Sequence, residues 1–219
     1  MKFSKQEIRE AMLLYAVTDR TWLKTGESLL DVCEKVLASG ATFLQLREKD
    51  FNQADFEKEA EQLGSLCAKH RVPFVINDSV EIALQCNADG VHVGQSDIKG
   101  RNIRSMIGSD KILGISAGTV EEAIAAEKAG ADYIGVGAVF GTSTKKDARN
   151  LTVEKLREIC SAVTIPVVAI GGINAENVVQ LSGSGVDGVA VISAVFAAKD
   201  PEKATAQLLM LAKSMVQHG

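Results

Sequence analysis

One short pattern returns four times along this chain: the end of a helix-like stretch, a small or glycine turn, then an apolar run. It reads Ser39-Gly40-Ala41-Thr42-Phe43-Leu44, then Asn87-Ala88-Asp89-Gly90-Val91-His92-Val93, then Ala129-Gly130-Ala131-Asp132-Tyr133-Ile134-Gly135-Val136, then Ser184-Gly185-Val186-Asp187-Gly188-Val189-Ala190-Val191. Successive copies, counted at Ala41, Ala88, Ala131 and Val186, are 47, 43 and 55 residues apart. Each interval has room for two strand–helix units, so four copies imply eight strands. Apolar runs at residues 13–18, 73–77, 111–116 and 166–170 supply the intermediate strands. Helix-period patterns fall between them, at residues 27–38, 53–69, 120–129, 153–162 and 175–181. Strands alternating with helices of this length imply a parallel sheet. Eight units closing on themselves predict the α/β class and a single-domain (β/α)8 TIM barrel over residues 1–219, with residues 1–12 as an N-terminal helical extension.

The prolines agree with that frame. Pro73 and Pro166 open strands, where a missing N–H is tolerated, and Asp200-Pro201 reads as an N-cap and first position of a last helix. An open doubly wound sheet is the alternative, but no Gly-x-Gly-x-x-Gly follows the first strand. The net charge of −4 is spread without blocks of one sign, so neither nucleic acid nor a membrane surface is expected as a partner. Residues 1–12 carry charge throughout and lack the apolar core of a signal peptide, and no apolar run is long enough to span a bilayer. The expectation is a soluble, cytoplasmic protein. Cys33, Cys67, Cys86 and Cys160 stand singly, without CxxC spacing, and read as reduced thiols rather than a disulfide or metal set.

In a barrel of this kind chemistry sits where strands give way to the following loops. The second strand ends in Gln45-Leu46-Arg47-Glu48-Lys49, and alternation puts Phe43, Gln45, Arg47 and Lys49 on one face and Leu44 and Leu46 on the other. If the leucines pack under helices, an amide and two cations converge on the barrel's middle, which is costly unless an anion meets them. The third strand ends in Asn77-Asp78 and the fourth runs into Gly94-Gln95-Ser96-Asp97. Asp78 and Asp97 follow neighbouring strands, so they either cap the next helices or share a hard cation such as Mg²⁺. Arg47 and Lys49 either pair with such acids inside the barrel or, with the metal, take a pyrophosphate. The fifth strand ends at Ser116. The sixth leads to the hydroxyls and lysines of Thr142, Ser143, Thr144, Lys145 and Lys146, suited to a phosphate or to a plain surface loop. Gly171-Gly172-Ile173 and Ile192-Ser193 stand where many barrels bind phosphate. His92, inside the fourth strand, reads as a hydrogen-bonded core residue, and no Ser/His/Asp or Cys/His set reaches the rim.

These motifs, in order over about residues 14–196, resemble the thiamine-phosphate synthase (thiamine-phosphate pyrophosphorylase) family. The resemblance implies a Mg²⁺-dependent transferase of thiamine biosynthesis. Such an enzyme joins 4-amino-2-methyl-5-(diphosphooxymethyl)pyrimidine to 4-methyl-5-(2-phosphoethyl)thiazole, or its carboxylated tautomer, and releases pyrophosphate. By the same resemblance, Gln45, Leu46, Arg47, Glu48, Lys49 and Asn77 hold the pyrimidine diphosphate. Asp78 and Asp97 bind Mg²⁺, and Ser116 and Lys145 contact the diphosphate. Thr142, Ser143, Thr144, Gly172, Ile192 and Ser193 cradle the thiazole phosphate, and Arg47, Lys49, Ser116 and Lys145 carry catalysis. One departure stands out: many members have histidine where this chain has Gly118. A related thiazole tautomerase is expected to need that histidine and not both aspartates. A sugar-phosphate isomerase or aldolase would need Lys49 as a Schiff-base lysine, and a non-catalytic phospholigand sensor would bind without turnover.

Overall fold

The computed structural model describes residues 3–48, 52–141 and 151–217. Its strands are β1 (Leu14–Val17), β2 (Phe43–Leu46), β3 (Phe74–Asn77), β4 (Gly90–Val93), β5 (Ile112–Ala117), β6 (Tyr133–Gly137), β7 (Val167–Ile170) and β8 (Gly188–Val191). All neighbours run parallel, and β8 pairs back onto β1 to close the barrel in chain order. The architecture is the (β/α)8 barrel.

The repeat seen in the sequence has a structural cause. Its polar residue ties each even strand to the start of the odd strand before it, using a side-chain oxygen. Thr42 Oγ1 accepts the Leu14 N–H at 2.8 Å, and Asp89 Oδ2 accepts that of Phe74 at 3.0 Å. Asp132 Oδ2 takes the Leu113 N–H and Asp187 Oδ2 the Val167 N–H, each at 2.8 Å. A strand's leading amide would otherwise lack a partner at this end of the barrel, and a buried amide left unpaired is costly.

Inward-facing Tyr15, Val17, Phe43, Val75, Ile112, Tyr133, Val168 and Ala190 fill the barrel. Helix α1 (Lys5–Ala11) closes its floor with Ile8 and Ala11, followed by Met12. The helix start is stabilised by a capping box: Ser4 Oγ accepts the Glu7 N–H, and the Glu7 carboxylate accepts the Ser4 N–H. The outward residues of the strands, among them Leu44, Leu46, Ile76 and Val91, pack under a helical shell. That shell comprises α2 (Leu29–Ala38), α3 (Gln53–His70), α4 (Val80–Gln85), α5 (Ile103–Ile107), α6 (Val120–Lys128), α7 (Val153–Ala162), α8 (Ser193–Phe196) and α9 (Pro201–Gln217). Asp200 Oδ1 accepts the Lys203 N–H at 3.0 Å and caps α9, as the Asp-Pro pair predicts. No helix among the described residues is long and apolar enough to cross a membrane.

The expected helix at residues 175–181 is instead a single 3₁₀ stretch, Val178–Leu181. Asn174 Oδ1 caps the Glu176 N–H, and the bonds that follow are of the tighter i→i−3 kind, from Gln180 to Asn177 and from Ser182 to Val179. Left-handed Gly183 (φ +72°) ends the stretch after one turn.

Candidate active site

The C-terminal ends of β2 to β5 form one continuous arc of the mouth. Gln45 points inward from β2 and is only 5% exposed. Its Nε2 donates to the Tyr15 hydroxyl at 2.5 Å. Arg47 follows, half-buried, its backbone N–H held by Thr18 Oγ1 at 2.9 Å. Alternation sends Leu46 and Glu48 the other way. Leu46 is fully buried in the outer layer. The Glu48 carboxylate takes Arg20 Nε at 3.0 Å, and Arg20 also reaches Glu59 on α3. Burial pushes the Glu48 carboxyl above its ordinary range while the Arg20 guanidinium holds it down. The side chains of Leu46 and Glu48 therefore lie behind the mouth, and a ligand bound there would meet these two residues through their backbone. Arg20, a cation that sequence reasoning did not single out, occupies the acid next to Arg47 in the chain.

Asn77 ends β3 beside His92 of β4. Its Nδ2 donates to Asp78 Oδ2 at 2.6 Å, so the amide orients the carboxylate. Asp78 is exposed and sits in left-handed backbone at φ +62°, with its N–H on the His92 carbonyl at 2.8 Å. Such a conformation costs a non-glycine residue free energy and aims the side chain out of the regular strand path. Asp97 closes the next turn, one carboxylate oxygen accepting the Gly94 N–H at 2.9 Å. A carboxylate has about four acceptor positions, so neither bond exhausts the group. Two oxygen-donor acids at the ends of adjacent strands, one of them braced by an amide, suit a hard divalent cation that keeps most of its water. Among the described residues no cluster of three or more His, Cys, Asp or Glu side chains forms a closed metal cage.

Ser116 is next along the arc, half-buried at the end of β5. Its hydroxyl is 3.0 Å from His92 Nε2, and its carbonyl accepts Gln95 Nε2 at 2.6 Å. At Gly118 the backbone N–H is taken by the Glu122 carboxylate at 2.7 Å. A Cβ built there would meet only that carboxylate, at 3.5 Å, so the glycine is not required by packing.

Across the mouth the loops after β6 and β7 are zipped together. Val139 N–H donates to the Ile170 carbonyl and Phe140 N–H to that of Gly171. Gly172 (φ +66°) lies so close to this loop that a Cβ would come within 2.1 Å of the Gly141 carbonyl oxygen. The freedom at Gly172 thus serves loop packing as well as any ligand. Ile192 and Ser193 lie at the start of α8, with Ser193 exposed. Lys49, Thr142, Ser143, Thr144 and Lys145 lie outside the described residues. Gln45, Arg47, Asn77, Asp78, Asp97 and Ser116 share one side of the mouth, and Gly172, Ile192 and Ser193 share the other.

Comparison with known proteins decides the family. A thiamine monophosphate synthase family model matches residues 14–195. The chain belongs to the thiamine monophosphate synthase family. It is an enzyme of that family. It is 51% identical to the thiamine-phosphate synthase of Ruminiclostridium cellulolyticum over 90% of this chain and 93% of that one. It is 48% identical to that of Clostridium botulinum over 89% and 91%. The solved structure of a thiamine phosphate pyrophosphorylase from Pyrococcus furiosus superposes with a TM-score of 0.87 at 38% identity, covering 95% of this chain and 99% of that one. Among the described residues, the arc built on β2 to β5 gathers charge at the mouth.

Proposed function

We propose that this enzyme joins 4-amino-2-methyl-5-(diphosphooxymethyl)pyrimidine to 4-methyl-5-(2-phosphoethyl)thiazole, or its carboxylated tautomer, to give thiamine phosphate and pyrophosphate with Mg²⁺, the carboxylated form also releasing its carboxyl group as CO2. The observation that carries the reading is the arc itself: Arg47 follows β2, the Asn77–Asp78 pair ends β3, Asp97 closes the turn after β4 and Ser116 lies near the end of β5. Opposite charges gathered at the mouth of a closed barrel match a metal–diphosphate guest.

In this reading the methylene C–O bond of the pyrimidine breaks and its electron pair leaves with the diphosphate. The resulting pyrimidine cation is captured by the thiazole ring nitrogen, whose lone pair forms the new C–N bond. No protein nucleophile is needed. Arg47 and the Ser116 hydroxyl, together with Lys49 and Lys145, would hold the diphosphate and stabilise the charge it gains, which is electrostatic catalysis by preset donors. Asp78 and Asp97 would hold Mg²⁺, whose charge would further lower the cost of the departing anion. Gly172, Ile192 and Ser193, with Thr142, Ser143 and Thr144, would anchor the thiazole phosphate and so aim its nitrogen. Gln45 and Asn77 would face the pyrimidine diphosphate from β2 and β3. The test is incubation with both phosphorylated precursors, with and without Mg²⁺, followed by oxidation of product to fluorescent thiochrome. Metal-dependent fluorescence is expected, and its absence would overturn the assignment.

A further inference from the structure

A buried chain of polar side chains crosses the barrel beneath the mouth and joins two of the residues described above. Gln45 Nε2 donates to the Tyr15 hydroxyl at 2.5 Å, and the Tyr15 and Tyr133 hydroxyls are 2.8 Å apart. Tyr133 Oη lies 2.9 Å from His92 Nδ1, and His92 Nε2 lies 3.0 Å from Ser116 Oγ. The space for it is made by two glycines. A Cβ at Gly114 would sit 2.2 Å from Tyr133 Cζ and 2.5 Å from His92 Nδ1, and one at Gly135 would sit 3.2 Å from His92 Cε1.

We infer that this chain has one direction, set by the Gln45 amide, and that Tyr15, Tyr133 and His92 are positioning residues that turn the Ser116 hydroxyl outward as a donor to the ligand. The amide nitrogen can only donate, so Tyr15 accepts from Gln45 and gives its own proton to Tyr133. Were Tyr133 to donate to Tyr15 instead, the Tyr15 proton would have no acceptor among the described partners, a costly state for a fully buried hydroxyl. Tyr133 therefore donates to His92 Nδ1, and the imidazole proton sits on Nε2. Nε2–H donates to Ser116 Oγ, which leaves the serine proton pointing at whatever acceptor fills the mouth. Each hydroxyl in the row polarises the next.

The assignment of that acceptor as a diphosphate rests on the proposed function; the direction of the chain does not. The first experiment is therefore spectroscopic and uses the unaltered protein. ¹⁵N-labelled histidine is observed at about pH 8.5, where imidazoles are neutral, and the His92 signal is identified by its loss in His92→Gln. The proton is expected on Nε2; a proton on Nδ1 would overturn the inference. Gln45→Glu replaces the terminal donor by an acceptor of the same shape, and is expected to reverse the row and move the His92 proton to Nδ1. An unchanged tautomer in that variant would also overturn it.

The link to turnover is read from a cycle. Tyr133→Phe is expected to lower kcat about tenfold, in the range seen when a supporting shell is cut, and to have no further effect once Ser116→Ala is in place. Equal losses in both backgrounds would show that Tyr133 does not act through Ser116. If the unaltered enzyme made no thiamine phosphate, the catalytic reading alone would fall. The imidazole spectrum would still decide the direction of the chain.

Discussion

At the residue scale the least expected feature is how Asn77 spends its amide. The family resemblance assigns it to the pyrimidine diphosphate, and in the structure its Nδ2 also donates to Asp78 at 2.6 Å. In the proposed reaction Asp78 holds Mg²⁺, and an amide that braces such a carboxylate affects metal affinity more than substrate affinity. Asn77→Ala is therefore expected to raise the Mg²⁺ concentration for half-maximal rate by about 10–100-fold. A Mg²⁺ titration at saturating substrate checks this. If the KM for the pyrimidine diphosphate rises instead and the Mg²⁺ curve stays in place, Asn77 reads the substrate. Lys145 tests the charge side of the same mechanism. Lys145→Ala is expected to lower kcat by about 10²–10³, the loss typical of one oriented donor. An unchanged kcat would remove it from the reaction.

At the scale of elements, the four-fold repeat was legible before its reason was. Alternation placed Gln45 inside and Leu46 outside, and the register of β2 against β1 and β3 agrees. What a string of letters hides is which long-range partner a polar group meets. Thr42, Asp89, Asp132 and Asp187 look like turn residues, yet each takes the amide at or next to the start of a strand far behind it in sequence. For the same reason the row from Gln45 to Ser116 was not visible, since His92 and Tyr133 are 41 residues apart. The only local clue was the pair of glycines, Gly114 on the strand between them and Gly135 on the strand of Tyr133. Thr42 offers a clean test of the strand-start bond, because valine keeps its shape and removes only the oxygen. Thr42→Val is expected to cost about 1–3 kcal/mol by stranding the Leu14 N–H and the Ala11 carbonyl. Urea unfolding should show a lower midpoint with an unchanged slope. A shift near zero would mean that water replaces the hydroxyl at that barrel end.

For the molecule as a whole, the same dense packing between barrel and shell governs its thiols. None of the four cysteines is in a disulfide, and Cys33 and Cys67 are fully buried between α2 and α3. Burial pushes the Cys160 thiol up to about 12 and raises Cys86 and Cys33 as well. The thiolate is the reactive form, and a more basic thiolate is also the better nucleophile. At about pH 8 the native Cys160 should therefore react with a disulfide reagent about 10²-fold more slowly than an unfolded thiol, with Cys33 and Cys86 slowed too. Labelling should become fast only after denaturant is added. The same shifts contribute to the alkaline limb of stability. A thiol whose folded value lies above its unfolded value stays protonated in the native state while the unfolded chain ionises. Unfolding then releases protons, and stability falls as pH rises from the ordinary thiol range toward about 12. Urea midpoints measured at successive pH values across that window should decline, and the decline should be shallower in Cys160→Ser, whose hydroxyl does not titrate there. A limb of unchanged slope in that variant would place the alkaline sensitivity elsewhere, in groups such as the buried tyrosines Tyr15 and Tyr133, whose hydroxyls burial also raises.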